Sequence, residues 1–243
     1  MAFNAQIITL FPDMFPGVLG HSILGKALNQ GLWELNARDL RAFATDKHKT
    51  VDDTPYGGGA GMLMKADVMG AALEAAIEAN PTARRIFLSP RGRPMTQPFA
   101  AELAAESGVI LVCGRYEGLD ERAIMHYELE EVSAGDMVLT GGEVAAMLLL
   151  EGVVRLIPGV LGEHASTSEE SFGLHDEYAL LLEYPHYTKP PIWKGLEVPQ
   201  ELLSGHHEQI RRWRLSQAEA LTQARRPDLW ERYQAQKAAK KKK

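Results

Sequence analysis

The sequence has little that would suit a secreted, membrane-spanning or metal-binding protein. Only one of its 243 residues is a cysteine, Cys113, so neither an internal disulfide nor a CxxC metal motif can form. No run of about 18 apolar residues is present, and the N-terminus lacks the basic-then-apolar pattern of a secretory signal. We therefore expect a cytoplasmic protein without a dedicated metal site, in which Cys113 is a small buried residue at the end of a strand.

Positive charge is scarce in most of the chain and is concentrated at the C-terminus. Residues 1–199 hold 15 Lys and Arg against 27 Asp and Glu, a net charge of -12, whereas residues 200–243 hold 11 against 5, a net charge of +6. The lysines at the very end are expected to form a disordered tail. Arg211, Arg212 and Arg214 surround Trp213, and this pattern suits either RNA contact or an amphipathic helix with a buried tryptophan.

Apolar runs alternate with helical patterns in the first half of the chain. This alternation predicts an α/β fold with a mostly parallel sheet covered by helices on both faces. Strands are predicted at 5–11, 32–37, 85–88 and 109–113, with a further strand that ends at Val138 and Leu139. Helices are predicted at 12–29, 66–79 and 97–107, and from Glu143 onward.

The second half of the chain predicts a linker followed by a small helical domain. No periodicity is evident between about residue 161 and residue 184, and a loop of that length is usually functional or disordered. We therefore divide the chain into an α/β domain at 1–161, a flexible linker at 162–184 and a helical domain with a lysine tail at 185–243. The helix that carries the arginine cluster is predicted to start at Ser204 or Gly205, with two shorter helices.

Three predicted strands end in loop-forming residues, at 88–92, 113–118 and 133–142. The carboxyl ends of parallel strands share one edge of a sheet, and open α/β sheets bind ligands at that edge. In the third loop, Gly141 and Gly142 would let a ligand approach the backbone at the start of a helix, although simple packing would also suit such a junction. The Gly-rich segment at 54–62 lacks the Lys-Ser or Lys-Thr pair of a phosphate-binding loop, and we interpret it as a mobile loop that closes over a ligand.

Motifs spread over nearly the whole chain resemble those of the bacterial tRNA (guanine-N1-)-methyltransferases. They are GRYEGLDER at 114–122, SAGDMVLTGGE at 133–143, PHYTKP at 185–190 and SGHHEQIRRWR at 204–214. The resemblance implies a SPOUT-class sheet domain with a deep C-terminal trefoil knot that holds S-adenosylmethionine. It also implies methylation of N1 of the guanosine immediately 3′ of the anticodon (position 37) in tRNA, and a homodimer with its active site at the subunit interface. Mg²⁺ is expected from the same resemblance, without a dedicated protein site.

The resemblance assigns the three loops to the cofactor and the basic cluster to RNA. The cofactor contacts would be Leu88, Ser89, Pro90, Gly114, Tyr116, Glu117, Ser133, Ala134, Gly135, Asp136, Met137, Val138, Leu139, Gly141 and Gly142. Among them, Glu117 would orient either the methionine end of the cofactor or Arg155. The RNA contacts would be Arg211, Arg212 and Arg214.

The implied chemistry needs a base and a cation. N1 of guanosine carries a proton, so a carboxylate must accept it while a cation stabilises the negative charge that spreads to the neighbouring oxygen. Arg155 matches the family's cation by position. The family's base is an Asp in an E-D-S-F setting, where this chain has Glu170, one methylene longer, as the expected base. Asp176, which lies in an insertion relative to the family pattern, is the rival base.

Two other functions are open on the residues alone. A phosphate-binding α/β nucleotide enzyme would explain the Gly-rich loop, but the missing Lys-Ser or Lys-Thr pair argues against it. A non-catalytic RNA-binding protein would explain the basic helices, but it leaves Arg155 and the glycine pair without a role. Binding of ATP rather than S-adenosylmethionine would indicate the first, and binding of neither would favour the second.

Overall fold

The computed structural model describes residues 2–161, 170–173 and 178–240. The chain divides into two compact units, Met1–Gly162 and Glu163–Lys243.

The first unit is an α/β unit. Its strands are β1 (Phe3–Thr9), β2 (Trp33–Asp39), β3 (Asp52–Asp53), β4 (Leu63–Met64), β5 (Arg84–Pro94), β6 (Gly108–Cys113) and β7 (Glu130–Ser133). Its helices are α1 (Ser22–Asn29), α2 (Ala66–Ala79), α3 (Gln97–Ala104), α4 (Glu121–His126) and α5 (Glu143–Val154). Five strands form one sheet in the order β2-β1-β6-β5-β7, and every pair in it is parallel. The predicted parallel sheet is therefore confirmed, and the carboxyl ends of its strands share one edge.

Helices cover both faces of this sheet. Every residue of β6 is buried, because side chains that alternate along the central strand enter a core on either side. Val109 and Leu111 pack with α1, α3 and α5, whereas Ile110 and Val112 pack with α2 and α4. Cys113 ends the strand and is buried, as the sequence predicts.

Two sequence predictions in this unit are wrong. Val138 and Leu139 lie in the loop between β7 and α5, not at the end of a strand. The helix expected at 12–29 is interrupted by two 3₁₀ turns, Pro12–Met14 and Gly17–Gly20, and only α1 is α-helical. Pro16 and Gly17 account for the interruption, since proline cannot donate a helical hydrogen bond and Gly17 has φ of 54°.

The second unit contains a short hairpin and three helices. They are β8 (Ile192–Trp193), β9 (Leu196–Glu197), α6 (Gln200–Leu203), α7 (His207–Arg225) and α8 (Pro227–Lys240). The arginine-bearing helix α7 thus starts at His207 rather than at Ser204 or Gly205, and one helix of 14 residues follows it rather than two shorter ones. The core is largely aromatic: Tyr178, Tyr184 and Tyr233 are buried, with Trp213 and Trp230 partly buried against them.

Candidate functional site

A pocket of about 510 Å³ opens at the carboxyl edge of the parallel sheet. It is lined by the loops that follow β5, β6 and β7, together with the first turn of α5. Thirteen of the fifteen residues predicted to contact a cofactor lie on its wall: Leu88, Ser89, Pro90, Gly114, Tyr116, Glu117, Ser133, Ala134, Met137, Val138, Leu139, Gly141 and Gly142. Gly135 and Asp136 belong to the same loop but do not line the pocket. The structure therefore brings the three loops together, and their role as cofactor contacts stays a prediction.

A wider and more open groove of about 990 Å³ lies elsewhere on the same unit. It is lined by β3, β4 and α4, and none of the strands of the main sheet ends in it. Ligands of open α/β sheets bind at the carboxyl ends of the strands, so the smaller pocket is the better candidate despite its size.

The loop after β7 forms one wall through a compact turn. The Ser133 hydroxyl donates to the Gly135 carbonyl at 3.0 Å, and the Met137 amide donates to the same oxygen at 2.8 Å. Gly135 has φ of 142°, a conformation that favours glycine. Met137 and Val138 are left exposed at 60% and 85%, so this wall offers apolar side chains to a ligand or a partner.

The loop after β6 and the start of α5 touch backbone to backbone. The Gly142 amide donates to the Gly114 carbonyl at 2.9 Å. A Cβ on Gly142 would lie 2.7 Å from Cα of Cys113, so only glycine permits this approach. The glycine pair therefore has a packing role as well as a place on the pocket wall.

The Gly-rich segment at 54–62 connects the antiparallel strands β3 and β4 beside this pocket. Gly57, Gly58 and Gly59 all have positive φ, and a Cβ added to any of them would meet nothing within 4 Å. A Cβ on Gly61 would overlap the Glu117 side chain, and the Glu117 amide donates to the Met62 carbonyl at 2.9 Å. The loop is thus joined to the pocket wall at Glu117, while its tip is open.

A buried ion pair that the sequence did not reveal lies behind the pocket. Glu143 is fully buried at the start of α5, and its Oε2 accepts from Nε of Arg115 at 3.0 Å and from a terminal guanidinium nitrogen of the same residue at 2.8 Å. Oε1 accepts from the Thr9 hydroxyl at 2.7 Å. Burial raises the pKa of the Cys113 thiol well above its usual value, and the nearby Glu143 carboxylate raises it further, so Cys113 stays a thiol.

Of the predicted catalytic residues, Arg155 belongs to the first unit and does not line the pocket. Arg155 follows the last residue of α5, and the helix rises about 18 Å over its 12 residues from the glycine pair. Glu170 belongs to the second unit, where its carbonyl accepts from the Gly173 amide at 2.9 Å and Phe172 has φ of 61°. Asp176 lies outside the described residues.

The three arginines predicted to contact RNA have different surroundings. Arg211 and Arg212 are exposed and each donates through Nε to the Glu208 carboxylate, at 3.3 and 3.0 Å. The guanidinium of Arg214 instead lies 4.9 Å from the ring centre of Tyr184, which is buried in the core. Arg211 and Arg212 are therefore the exposed members of the cluster, whereas the partly buried Trp213 agrees better with an amphipathic helix.

Fold and pocket together define the class of protein. It is an α/β protein with a pocket at the carboxyl edge of a parallel sheet, and the pocket volume lies within the range of about 300–1,000 Å³ typical of ligand sites. Every helix in the described parts of the chain is too short or too polar to cross a membrane.

Comparison with known proteins narrows this class to one family. The model of the family described as tRNA (Guanine-1)-methyltransferase TrmD matches residues 3–232. A tRNA (guanine-N(1)-)-methyltransferase of Ruegeria pomeroyi is 55% identical over 236 residues, which are 97% of this chain and 95% of the relative. A protein of the same name from Bartonella bacilliformis is 56% identical over 233 residues, 96% of this chain and 97% of the relative. The chain belongs to the tRNA (guanine-1)-methyltransferase family.

Proposed function

We propose that this protein transfers a methyl group from S-adenosylmethionine to N1 of the guanosine immediately 3′ of the anticodon, position 37, in tRNA. The observation that carries the proposal is the pocket at the carboxyl edge, because two of its three strand-end loops, those after β6 and β7, bear motifs that resemble the family's. Membership of a methyltransferase family of this kind implies the use of S-adenosylmethionine.

The residues of the pocket suit that cofactor. Leu88, Leu139 and Ala145 offer apolar contacts for a flat base, and Ser89 and the loop backbones offer polar ones. The carboxylate of Glu117, in the loop after β6, would suit the ammonium group of the methionine end. When bound, the cofactor would supply an electrophilic methyl group on a sulfonium.

The protein's own residues must accept the N1 proton of the guanosine and stabilise the negative charge that develops on it. In this proposal the Glu170 carboxylate accepts the N1 proton and the Arg155 guanidinium stabilises the negative charge on the guanine oxygen. Glu170 is one methylene longer than aspartate, so its backbone would stand farther from N1. The rival assignment gives the proton to Asp176.

We further propose a homodimer with the active site at the subunit interface. Exposed apolar side chains lie on two adjacent elements, Val144 and Leu148 on α5 and Val18 on the neighbouring 3₁₀ turn. Such a patch suits an interface with a second copy. In addition, α5 separates the pocket wall from Arg155 by about 18 Å within one chain, so Arg155 of a second subunit is the simplest source of a cation at the pocket.

We also propose a division of the chain into a cofactor domain, a linker and a tRNA-binding domain. Residues 1–161 form the cofactor domain, with the backbone threaded as a trefoil knot, as the family resemblance implies. Residues 162–184 link it to a tRNA-binding domain at 185–243, in which Arg211 and Arg212 meet phosphates. The enzyme acts in the cytoplasm, and any Mg²⁺ it uses meets RNA rather than a dedicated protein site.

The test of the target is methylation of tRNA transcripts that carry either guanosine or adenosine next to the anticodon. We expect a methyl signal only with guanosine. A signal with both transcripts, or with neither, would contradict the proposal.

The test of the base is single-turnover methylation by three carboxylate variants. Glu170→Gln should abolish methyl transfer while Asp176→Asn retains it, and Glu169→Gln serves as the control for loss of a neighbouring carboxylate. Full activity of Glu170→Gln with loss in Asp176→Asn would assign the base to Asp176 instead.

A further inference from the structure

A carboxylate that is almost fully buried lies behind the pocket wall. Glu143 is the first residue of α5, and its side chain is only 1% exposed. Its two oxygens are divided between partners from distant parts of the chain: Thr9 at the end of β1 and Arg115 in the loop after β6. A buried charge is retained only when its partners satisfy it, and a carboxylate in the first turn of a helix is further stabilised by the helix dipole.

The guanidinium of Arg115, which donates to this carboxylate, connects two walls of the pocket. Arg115 itself belongs to the loop after β6, and one of its terminal nitrogens donates to the Thr140 carbonyl at 3.1 Å, in the loop after β7. A Cβ on Gly141 would overlap the guanidinium, which accounts for glycine there. The guanidinium carbon lies 4.4 Å from the ring centre of Phe11.

We propose that Glu143 and Arg115 are positioning residues of the cofactor site. The buried carboxylate fixes the guanidinium, and the guanidinium fixes the distance between the loop after β6 and the loop after β7. Thr9 completes the arrangement, because its hydroxyl donates to Glu143 and accepts from the Phe11 amide at 2.9 Å. We expect ligand binding to depend on that distance. The inference rests on the proposed function in one respect, because that function identifies the ligand as S-adenosylmethionine.

The contacts at this position require an arginine and not simply a positive charge. The guanidinium makes three separate contacts, two with Glu143 and one with Thr140, in a fixed plane. A lysine ammonium keeps the charge but cannot reproduce that planar set of donors. Charge alone should therefore not restore the site.

The test measures the Kd for S-adenosylmethionine by calorimetry without tRNA, for Arg115→Lys, Glu143→Gln and Thr9→Val. The control is Arg84→Lys. Arg84 is similarly exposed, 23% against 20% for Arg115, and donates to Glu130 at 2.7 Å, but it starts β5 at the opposite edge of the sheet. Melting curves establish the temperature at which each variant is folded, and single-turnover rates are taken at saturating cofactor.

We expect Arg115→Lys and Glu143→Gln to raise this Kd about tenfold or more, which corresponds to one lost hydrogen bond to a charged group. Thr9→Val should raise it about threefold, and Arg84→Lys should leave it unchanged. At saturating cofactor, the methylation rates of Arg115→Lys, Glu143→Gln and Thr9→Val should be close to the wild-type rate. If Glu143→Gln does not fold, the Kd values of Arg115→Lys and Thr9→Val test the inference.

A purely structural role predicts a different result. In that case the variants would melt at lower temperature, but the folded protein would bind S-adenosylmethionine with wild-type Kd, and the inference would be overturned. A wild-type protein that binds the cofactor without methylating tRNA would contradict the proposed function, whereas the Kd series would still test the positioning residues.

Discussion

Replacement of Gly142 by alanine tests how much the close backbone contact between α5 and the end of β6 contributes to stability. The added Cβ would lie 2.7 Å from Cα of Cys113 and 2.9 Å from the Gly114 nitrogen, both backbone atoms that no rotamer change can move. Ordinary carbon contacts are about 3.5–4.0 Å, so the segments must separate by about 1 Å. Overpacking of this kind costs about 1–3 kcal/mol, and weakening the Gly142 to Gly114 hydrogen bond costs about 0.5–1.5 kcal/mol more.

The effect on the unfolded chain acts in the opposite direction. Alanine reduces the freedom of the unfolded state by about 0.4–1 kcal/mol, and Gly142 has φ of -77°, which alanine adopts without strain. The net loss for Gly142→Ala is therefore about 0.5–4 kcal/mol, with a midpoint of about 2 kcal/mol. For a unit of this size we expect the Tm to fall by about 5–10 °C, together with weaker binding of S-adenosylmethionine.

The assay is thermal unfolding combined with calorimetric titration of the cofactor. Gly152→Ala in the same helix is the matched control, because its Cβ would lie 3.9 Å from Cβ of Ala100, an ordinary contact. Since glycine disfavours a helix interior by about 1 kcal/mol, this control should be as stable as the wild type or more so. A Gly142→Ala protein with wild-type Tm and wild-type affinity would refute the reasoning from backbone contact.

Three further predictions concern the second unit. Thr222→Val should destabilise it by about 1–3 kcal/mol in melting experiments, because the Leu182 amide loses its acceptor at 2.8 Å, whereas Thr222→Ser should be tolerated. Burial and the hydrogen bond to Glu219 raise the pKa of Tyr233 to about 12, so the unit should lose stability between about pH 10, where an unfolded tyrosine ionises, and about pH 12. Tyr233→Phe should remove that loss, and an unchanged pH profile would contradict the assignment. Arg212→Gln should weaken tRNA binding and reduce the slope of log affinity against log salt by about 0.7–0.9, and an unchanged slope would exclude a phosphate contact.

Sequence reasoning succeeded where local composition and packing agree. The apolar run that became β6 and the glycine and proline residues after each strand are local features, and they predicted both the sheet and the loops at its edge. Strand β7 was missed because its first two residues are Glu130 and Glu131, so no apolar run marks it. The strand was placed instead at Val138 and Leu139, which are apolar but exposed in a loop.

The buried ion pair could not be predicted because it depends on contacts between distant residues. Arg115 and Glu143 each look like ordinary surface charges beside a glycine, and only the folded chain brings them together. The same limit applies to the arginine cluster: Arg212 and Arg214 are identical in type and two positions apart, yet one is exposed and the other packs on Tyr184. Their difference arises because residues two positions apart lie about 200° apart around a helix and so face opposite sides of it.

The hydrogen bond between Thr9 and Glu143 joins residues 134 positions apart. During synthesis from the N-terminus, β1 must therefore wait for nearly the whole first unit before its last partner leaves the ribosome. Until then the apolar residues of β1 and β6 lack the cover of α5. A nascent chain that stops before α5 would lack the helix start that closes the pocket, and one face of its sheet would stay exposed.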